Sequence, residues 1–145
     1  MSITLAQAIR NAIAAEHAAE RFYLRLAGAT SDEKARQILT GIAGQEREHA
    51  AGLEAMAVRL VEGKLPERAD LHVNVIESAP GATDASDLSM RQALEIAVDA
   101  ENGAILYYDA LATTSTGEAS MFFERMGQEE EGHAAAIREL LAQAG

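Results

Sequence analysis

The chain has 145 residues, and its 12 basic and 23 acidic side chains give a formal net charge of −11, which should repel nucleic acid and anionic membranes. It contains no cysteine, which excludes disulfides, thiolate zinc sites and cysteine-ligated iron–sulfur clusters within it. Hydrophobic residues make up 48% of the chain and aromatic residues only 4%, a composition that suits closely packed helices. Neither a signal peptide nor an apolar run of membrane-spanning length, roughly 20 residues, is evident. We therefore expect a cytoplasmic protein.

The first part of the chain, residues 4–63, predicts a pair of helices. Capping-box patterns, in which a side chain at each end bonds the other residue's backbone N–H, open at Thr4 and at Thr30. Gly28 and Gly63 stand where the two helices should end. Apolar residues recur at steps of three and four along both segments, so each helix should bury one face.

Residues 64–87 have a different composition, with both prolines of the chain. A helix of about 24 residues is about 36 Å long, and a connection of similar residue count can cover that distance when extended. We interpret the segment as a long crossover that returns the chain to the other end of a bundle. Helices 2 and 3 should then run parallel, as in four-helix bundles with one long crossover.

A second helix pair is predicted over residues 88–144, with capping-box patterns at Ser89 and Ser115. Together with the first pair it forms a single domain, residues 1–145, the simplest expectation for a chain of this length.

The second helix pair repeats the first. Each copy carries a Glu, a Tyr seven residues later, and a Glu-x-x-His about thirty residues beyond the first Glu. The matched residues, at offsets of 85 or 84, are Glu16 with Glu101, Tyr23 with Tyr108, Glu46 with Glu130 and His49 with His133.

The Glu-x-x-His motifs interrupt the apolar stripes of helices 2 and 4. Residues three apart share a helix face, so each motif can aim a carboxylate and an imidazole at one point. A charge on such a stripe is costly unless it is paired or bound to metal. If the four helices form a bundle, four carboxylates and two imidazoles converge, and two divalent cations would neutralise them. These donors suit iron or manganese, and can also hold zinc.

The ligand set is that of the di-iron and di-manganese carboxylate bundles. The sequence resembles the ferritin-like di-iron carboxylate superfamily, and within it the rubrerythrin-like group, over nearly the whole chain. The resemblance depends on Glu16 with Tyr23, the stretch 45–49, Glu101 with Tyr108, and the stretch 129–133. It implies an all-α, ferritin-like four-helix bundle built from two repeated helix pairs, with the long crossover between helices 2 and 3.

The resemblance also implies a di-iron centre with six metal ligands. Glu46 and Glu130 would bridge the two iron ions. The other four would complete one ion each, as the pairs Glu16 with His49 and Glu101 with His133.

Three further residues could act beside these ligands. By the resemblance, Tyr23 and Tyr108 would hydrogen-bond the site carboxylates, although packing in the core is an alternative. Glu20 lies four residues after Glu16 and could be an additional ligand or a metal-entry residue; a surface ion pair is the alternative. Other acidic residues next to the motifs, Glu129 among them, are interpreted as a solvated polar face.

Two departures from the rubrerythrin pattern bear on function. Rubrerythrins typically carry a second Glu three residues after the ligand on helix 3, where this chain has Ala104. They also usually carry a cysteine-rich rubredoxin domain as electron source. Turnover here would therefore need an external electron donor, rubredoxin-like or a flavoprotein.

The sequence therefore predicts a di-iron oxidoreductase that reduces hydrogen peroxide, or oxidises Fe(II) with oxygen or peroxide. Two alternatives remain: an iron storage or delivery protein with a ferroxidase centre, and a helical oligomerisation module with a zinc or vestigial site. We expect a homodimer, and the repeated halves also permit a domain-swapped one.

Overall fold

A computed structural model describes residues 4–61, 63–67 and 89–144. In these ranges every regular element is an α-helix, as predicted. The four helices are α1 (Leu5–Ala29), α2 (Glu33–Leu60), α3 (Met90–Thr114) and α4 (Gly117–Gln143). Most of the predicted crossover, from residue 68 onward, lies outside the described residues.

Two of the four predicted helix starts are confirmed. The side chain of Thr4 accepts a hydrogen bond from the backbone N–H of Gln7 at 3.0 Å. At the start of α3, Ser89 and Gln92 form a complete capping box, with bonds of 3.1 and 3.0 Å between each side chain and the other residue's N–H. These caps satisfy backbone donors that the first helical turn would otherwise leave unpaired.

The other two predicted starts are wrong because the preceding helix occupies the residue. Thr30 ends α1 by donating its N–H to Leu26, and Asp32 caps α2 instead. Ser115 ends α3 in the same way, and Thr116 precedes α4. The connection within each helix pair is short. The residue that the capping-box pattern assigned to the start of the second helix is therefore used to end the first.

The glycine stop signals also differ from expectation. Gly28 lies inside α1, which continues one residue further. Gly63 lies three residues beyond the end of α2, and its φ of +81° is in the left-handed region that glycine adopts without steric cost.

The core divides into two apolar clusters, each with contributions from all four helices. One, called here the lower cluster, is represented by Phe22, Leu39, Leu94 and Ile137. The upper cluster is represented by Ile9, Leu53, Tyr107 and Phe123. On every helix the predicted ligands lie in sequence between the residues of the two clusters, so a polar layer crosses the middle of the bundle.

The order of the clusters along each helix gives its direction. α1 and α4 pass from the upper to the lower cluster, whereas α2 and α3 pass from the lower to the upper. Helices α2 and α3 therefore run in the same direction, as a long crossover between them requires. Closest packing is within the pairs α1–α2 and α3–α4.

None of the four helices described is both long and apolar enough to cross a membrane.

Candidate metal centre

Six buried side chains from the four helices form the polar layer. Each is at most 5% exposed, and all six are residues that the repeat had singled out: Glu16, Glu46, His49, Glu101, Glu130 and His133. Charged residues are seldom buried this fully without a partner. Their burial between two apolar clusters therefore requires a compensating interaction.

The six side chains fall into two overlapping groups of four. Within each group, one ligand atom from every residue lies within 4.8 Å of the others. The first group joins Glu16 and His49 to the shared pair, and the second joins Glu101 and His133 to it. The shared residues are Glu46 and Glu130. Each group could hold a metal ion, and the shared carboxylates lie where they can contact both.

One atom of each of the six residues is buried and has no hydrogen-bond partner outside the cluster; its polar neighbours are the other inner atoms, with His133 Nδ1 3.0 Å from Glu46 Oε1 and His49 Nδ1 3.2 Å from Glu130 Oε1. The atoms are Glu16 Oε2, Glu46 Oε1, His49 Nδ1, Glu101 Oε2, Glu130 Oε1 and His133 Nδ1. Buried polar atoms are nearly always hydrogen-bonded, and an unpaired one costs about 1–3 kcal/mol. Six such atoms facing one small volume fit metal ions, because a cation satisfies several oxygen and nitrogen donors at once.

Two buried tyrosines hold the outer oxygens of the unshared carboxylates. Tyr23 of α1 donates its hydroxyl to Oε1 of Glu101 on α3 at 2.6 Å. Tyr108 of α3 donates to Oε1 of Glu16 on α1 at 2.7 Å. Each tyrosine thus contacts the glutamate of the other repeat. The bond leaves Oε2 of each carboxylate as the atom that faces the cluster.

The two imidazoles are oriented by acceptors at their outer nitrogens. His49 Nε2 lies 3.0 Å from Oε1 of Glu129, and His133 Nε2 contacts Oε1 of Gln45. Because a carboxylate oxygen accepts only, Nε2 of His49 carries the hydrogen, and the same assignment suits His133 with an amide oxygen. When the ring is neutral, its Nδ1 then keeps a lone pair toward the cluster, and this is the form that binds metal.

Sequence reasoning missed Gln45 and Glu129. Glu129 is not simply part of a solvated polar face, because its half-exposed side chain on α4 reaches His49 on α2, in the other helix pair. A signal was present: the two residues match in the repeat at an offset of 84, and each directly precedes a shared glutamate.

Burial and the mutual repulsion of like charges raise the pKa of three of the four carboxylates. Burial raises the pKa of Glu16, Glu46 and Glu101, and the charge of neighbouring carboxylates, Glu130 among them, raises each further. Without metal these side chains tend to hold protons.

For Glu130 and His49, contacts within the cluster outweigh the effect of burial on the pKa. Burial alone would raise the pKa of Glu130, but its contacts with His133 and His49 outweigh burial and lower it. Burial disfavours the charged form of His49, yet its contacts with Glu130, Glu16 and Glu46 raise its pKa. The metal-free cluster is thus compensated by protons and by an imidazolium–carboxylate contact.

Glu20 belongs to neither group of four. Its Oε2 accepts a hydrogen bond from Arg47 Nε at 2.8 Å, and its Oε1 lies 3.8 Å from His17 Nδ1. The structure therefore places Glu20 in an ion pair between α1 and α2, outside the ligand cluster.

Comparisons with known proteins bear on the fold alone. Neither the protein-family models nor the curated proteins compared with this chain give a match. Among solved structures, a hypothetical protein from Pyrococcus furiosus is similar, with a TM-score of 0.77 and 19% sequence identity over 97% of this chain and 89% of the other. The chain shares the helical architecture of that protein.

Proposed function

We propose that the chain is a rubrerythrin-like, ferritin-like di-iron oxidoreductase that reduces hydrogen peroxide, or oxidises Fe(II), at the six-residue cluster. One observation carries the proposal. Six buried ligand atoms without hydrogen-bond partners outside the cluster form two groups of four that share Glu46 and Glu130.

The donor set supports two divalent cations in preference to one. Four carboxylates carry four negative charges, which two divalent ions would balance. Glu46 and Glu130 would bridge the ions, and each ion would have one further glutamate and one histidine of its own. Oxygen and imidazole nitrogen donors without thiolate favour iron or manganese, with zinc as a redox-inert occupant.

The protein's own residues would position the ligands and exclude water. Tyr23 and Tyr108 fix the rotation of two carboxylates, and the upper and lower apolar clusters close the site at both ends. Two ferrous ions, when bound, would supply the two electrons that reduction of one peroxide needs. Since the chain has no cysteine for a rubredoxin-type centre, an external rubredoxin-like protein or flavoprotein would return the electrons.

Anaerobic titration with Fe(II), followed by stopped-flow mixing with peroxide or with air, tests the proposal. We expect two iron ions per chain and faster oxidation by peroxide than by air. Faster oxidation by air with continued iron uptake would instead favour storage with a ferroxidase centre. Absence of iron binding would contradict both functions.

Substitutions test whether iron binds at the cluster or to the acidic surface in general. Glu46→Ala and Glu130→Ala should abolish binding of the iron pair. Glu48→Ala removes one charge from an exposed position on the same helix as Glu46 and should leave iron binding unchanged. Intact iron binding in both cluster variants would refute the assignment.

A further inference from the structure

The hydrogen bonds around the ligands are symmetric in position but not in charge. The two tyrosine contacts are equivalent, at 2.6 and 2.7 Å. The two histidine contacts differ: Nε2 of His49 has a carboxylate partner, Glu129, whereas Nε2 of His133 has an amide partner, Gln45. The repeat has thus kept the place of the acceptor and changed its chemistry.

This difference bears on the metal because the imidazole transmits it. A hydrogen bond from an N–H to a carboxylate is charge-assisted and stronger than one to an amide oxygen. A carboxylate on the outer nitrogen also makes the inner nitrogen of a metal-binding histidine a stronger donor. His49 should therefore donate more strongly through Nδ1 than His133.

The remaining ligands do not offset the effect. Glu46 and Glu130 belong to both groups of four, so they favour neither ion. The unshared carboxylates, Glu16 and Glu101, each accept one tyrosine hydroxyl and leave one oxygen for the cluster. Described residues outside the cluster make hydrogen bonds to the two unshared carboxylates and to the two histidines. Of these, the histidine bonds are the ones whose partners differ in charge, Glu129 against Gln45.

We infer that Glu129 is a positioning residue that makes the two metal subsites unequal: the subsite of Glu16 and His49 binds its divalent ion more tightly than the subsite of Glu101 and His133. The inference rests on the proposed metal-binding function. It assigns a filling order to the two subsites, with the His49 subsite occupied first.

Titration of the metal-free full-length chain with Co(II), followed by calorimetry and visible absorption, tests this order. The wild-type chain should bind two ions in two steps. The dissociation constants of these steps should differ by more than the statistical factor for two identical, independent sites. Glu129→Gln, which copies the partner of the other histidine, should weaken the first step by about tenfold and bring the steps together. Gln45→Glu should tighten the second step.

Two controls distinguish the hydrogen bond from other effects. Glu131→Gln makes the same change in charge at an exposed position two residues away, and should leave the separation of the steps unchanged. Glu16→Gln should remove the tight step, whereas Glu101→Gln should remove the weak one.

The outcomes separate the two proposals. Two bound ions with the same step separation in wild type, Glu129→Gln and Glu131→Gln would overturn the inference and leave the metal-binding function standing. An equal loss in both Gln variants would also overturn it, as a plain effect of charge. Absence of any bound Co(II) would overturn the proposed function together with the inference.

Discussion

At the scale of the residue, the site depends on pairs of side chains from different repeats. Tyr23 and Glu101 are 78 residues apart in the chain, and Tyr108 and Glu16 are 92 apart. Both tyrosines are almost fully buried, with the pKa of each raised well above its ordinary value by burial and by the nearby carboxylate. They therefore remain neutral donors, which is the form that can hold a carboxylate oxygen.

Tyr23→Phe should weaken metal binding and lower stability. It leaves a buried oxygen of Glu101 without its donor, at a cost of about 1–3 kcal/mol in the free energy of unfolding of the metal-free chain. Loss of a hydrogen bond to a ligand should also reduce metal affinity by about 10- to 100-fold. Urea unfolding and Co(II) titration measure the two effects.

Tyr107→Phe is the matched control, because Tyr107 donates to the backbone oxygen of Ala8 and not to a ligand. It should lower stability without changing metal affinity. Equal losses of metal affinity in the two variants would show that the effect is one of packing.

At the scale of the element, the helix starts show what a capping pattern predicts and where it fails. Thr4 and Ser89 follow segments that lie outside the described helices, and each side chain caps the helix that follows; the full capping box is formed at Ser89. Thr30 and Ser115 lie in short connections, where each ends the preceding helix instead. A capping box is a local signal, and the end of a neighbouring helix overrides it.

Ser89→Ala should destabilise the protein by about 1 kcal/mol, because it removes one half of the capping box that starts α3. Thr116→Ala provides the comparison: Thr116 is the N-cap residue of α4 but makes no side-chain hydrogen bond to the helix, so the free energy of unfolding should change little. Denaturant unfolding of both variants checks this, and equal losses would argue against the capping bond as the cause.

At the scale of the whole molecule, the two helix pairs have a common polar layer that neither completes alone. Each group of four draws on three helices: both use α2 and α4, and Glu16 adds α1 to one group whereas Glu101 adds α3 to the other. In the proposed function, stability and metal binding are coupled, because the carboxylates that would bind metal are the ones whose charged form burial disfavours.

This coupling predicts how the stability of the metal-free chain depends on pH. Glu46 and Glu101 have pKa values raised above their ordinary 4.5. Their contribution to stability is therefore complete below pH 4.5 and is lost as the pH rises through the folded-state values. The raised pKa of His49 acts in the same direction above 6.5, whereas the lowered pKa of Glu130 contributes above 4.5.

The free energy of unfolding of the metal-free chain should accordingly fall between pH 5 and pH 8, by about 1.4 kcal/mol per pH unit for each proton bound in the folded state alone. Thermal unfolding followed by circular dichroism should show the melting temperature falling with it. Glu46→Gln should reduce the slope and Glu48→Gln should not. Metal binding should release protons and strengthen as pH rises. A melting temperature that rises with pH in the metal-free chain would contradict the burial argument.

The amino-acid sequence by itself determined the helical architecture and the six residues of the polar layer. Both follow from periodicity: apolar side chains repeat at the helical period, and a second copy of the motifs shows which charges interrupt the apolar face in the same place. These signals can be read from the sequence because residues on one helix face are only three or four positions apart in the chain.

Only the tertiary structure decided which residues contact the ligands from outside. It assigned Gln45 and Glu129 to the outer nitrogens of the histidines, paired Glu20 with Arg47 instead of with the cluster, and crossed the tyrosines between repeats. Each contact joins residues at least 27 positions apart. Such contacts depend on how the helices pack against one another, and no local pattern of residues encodes that packing.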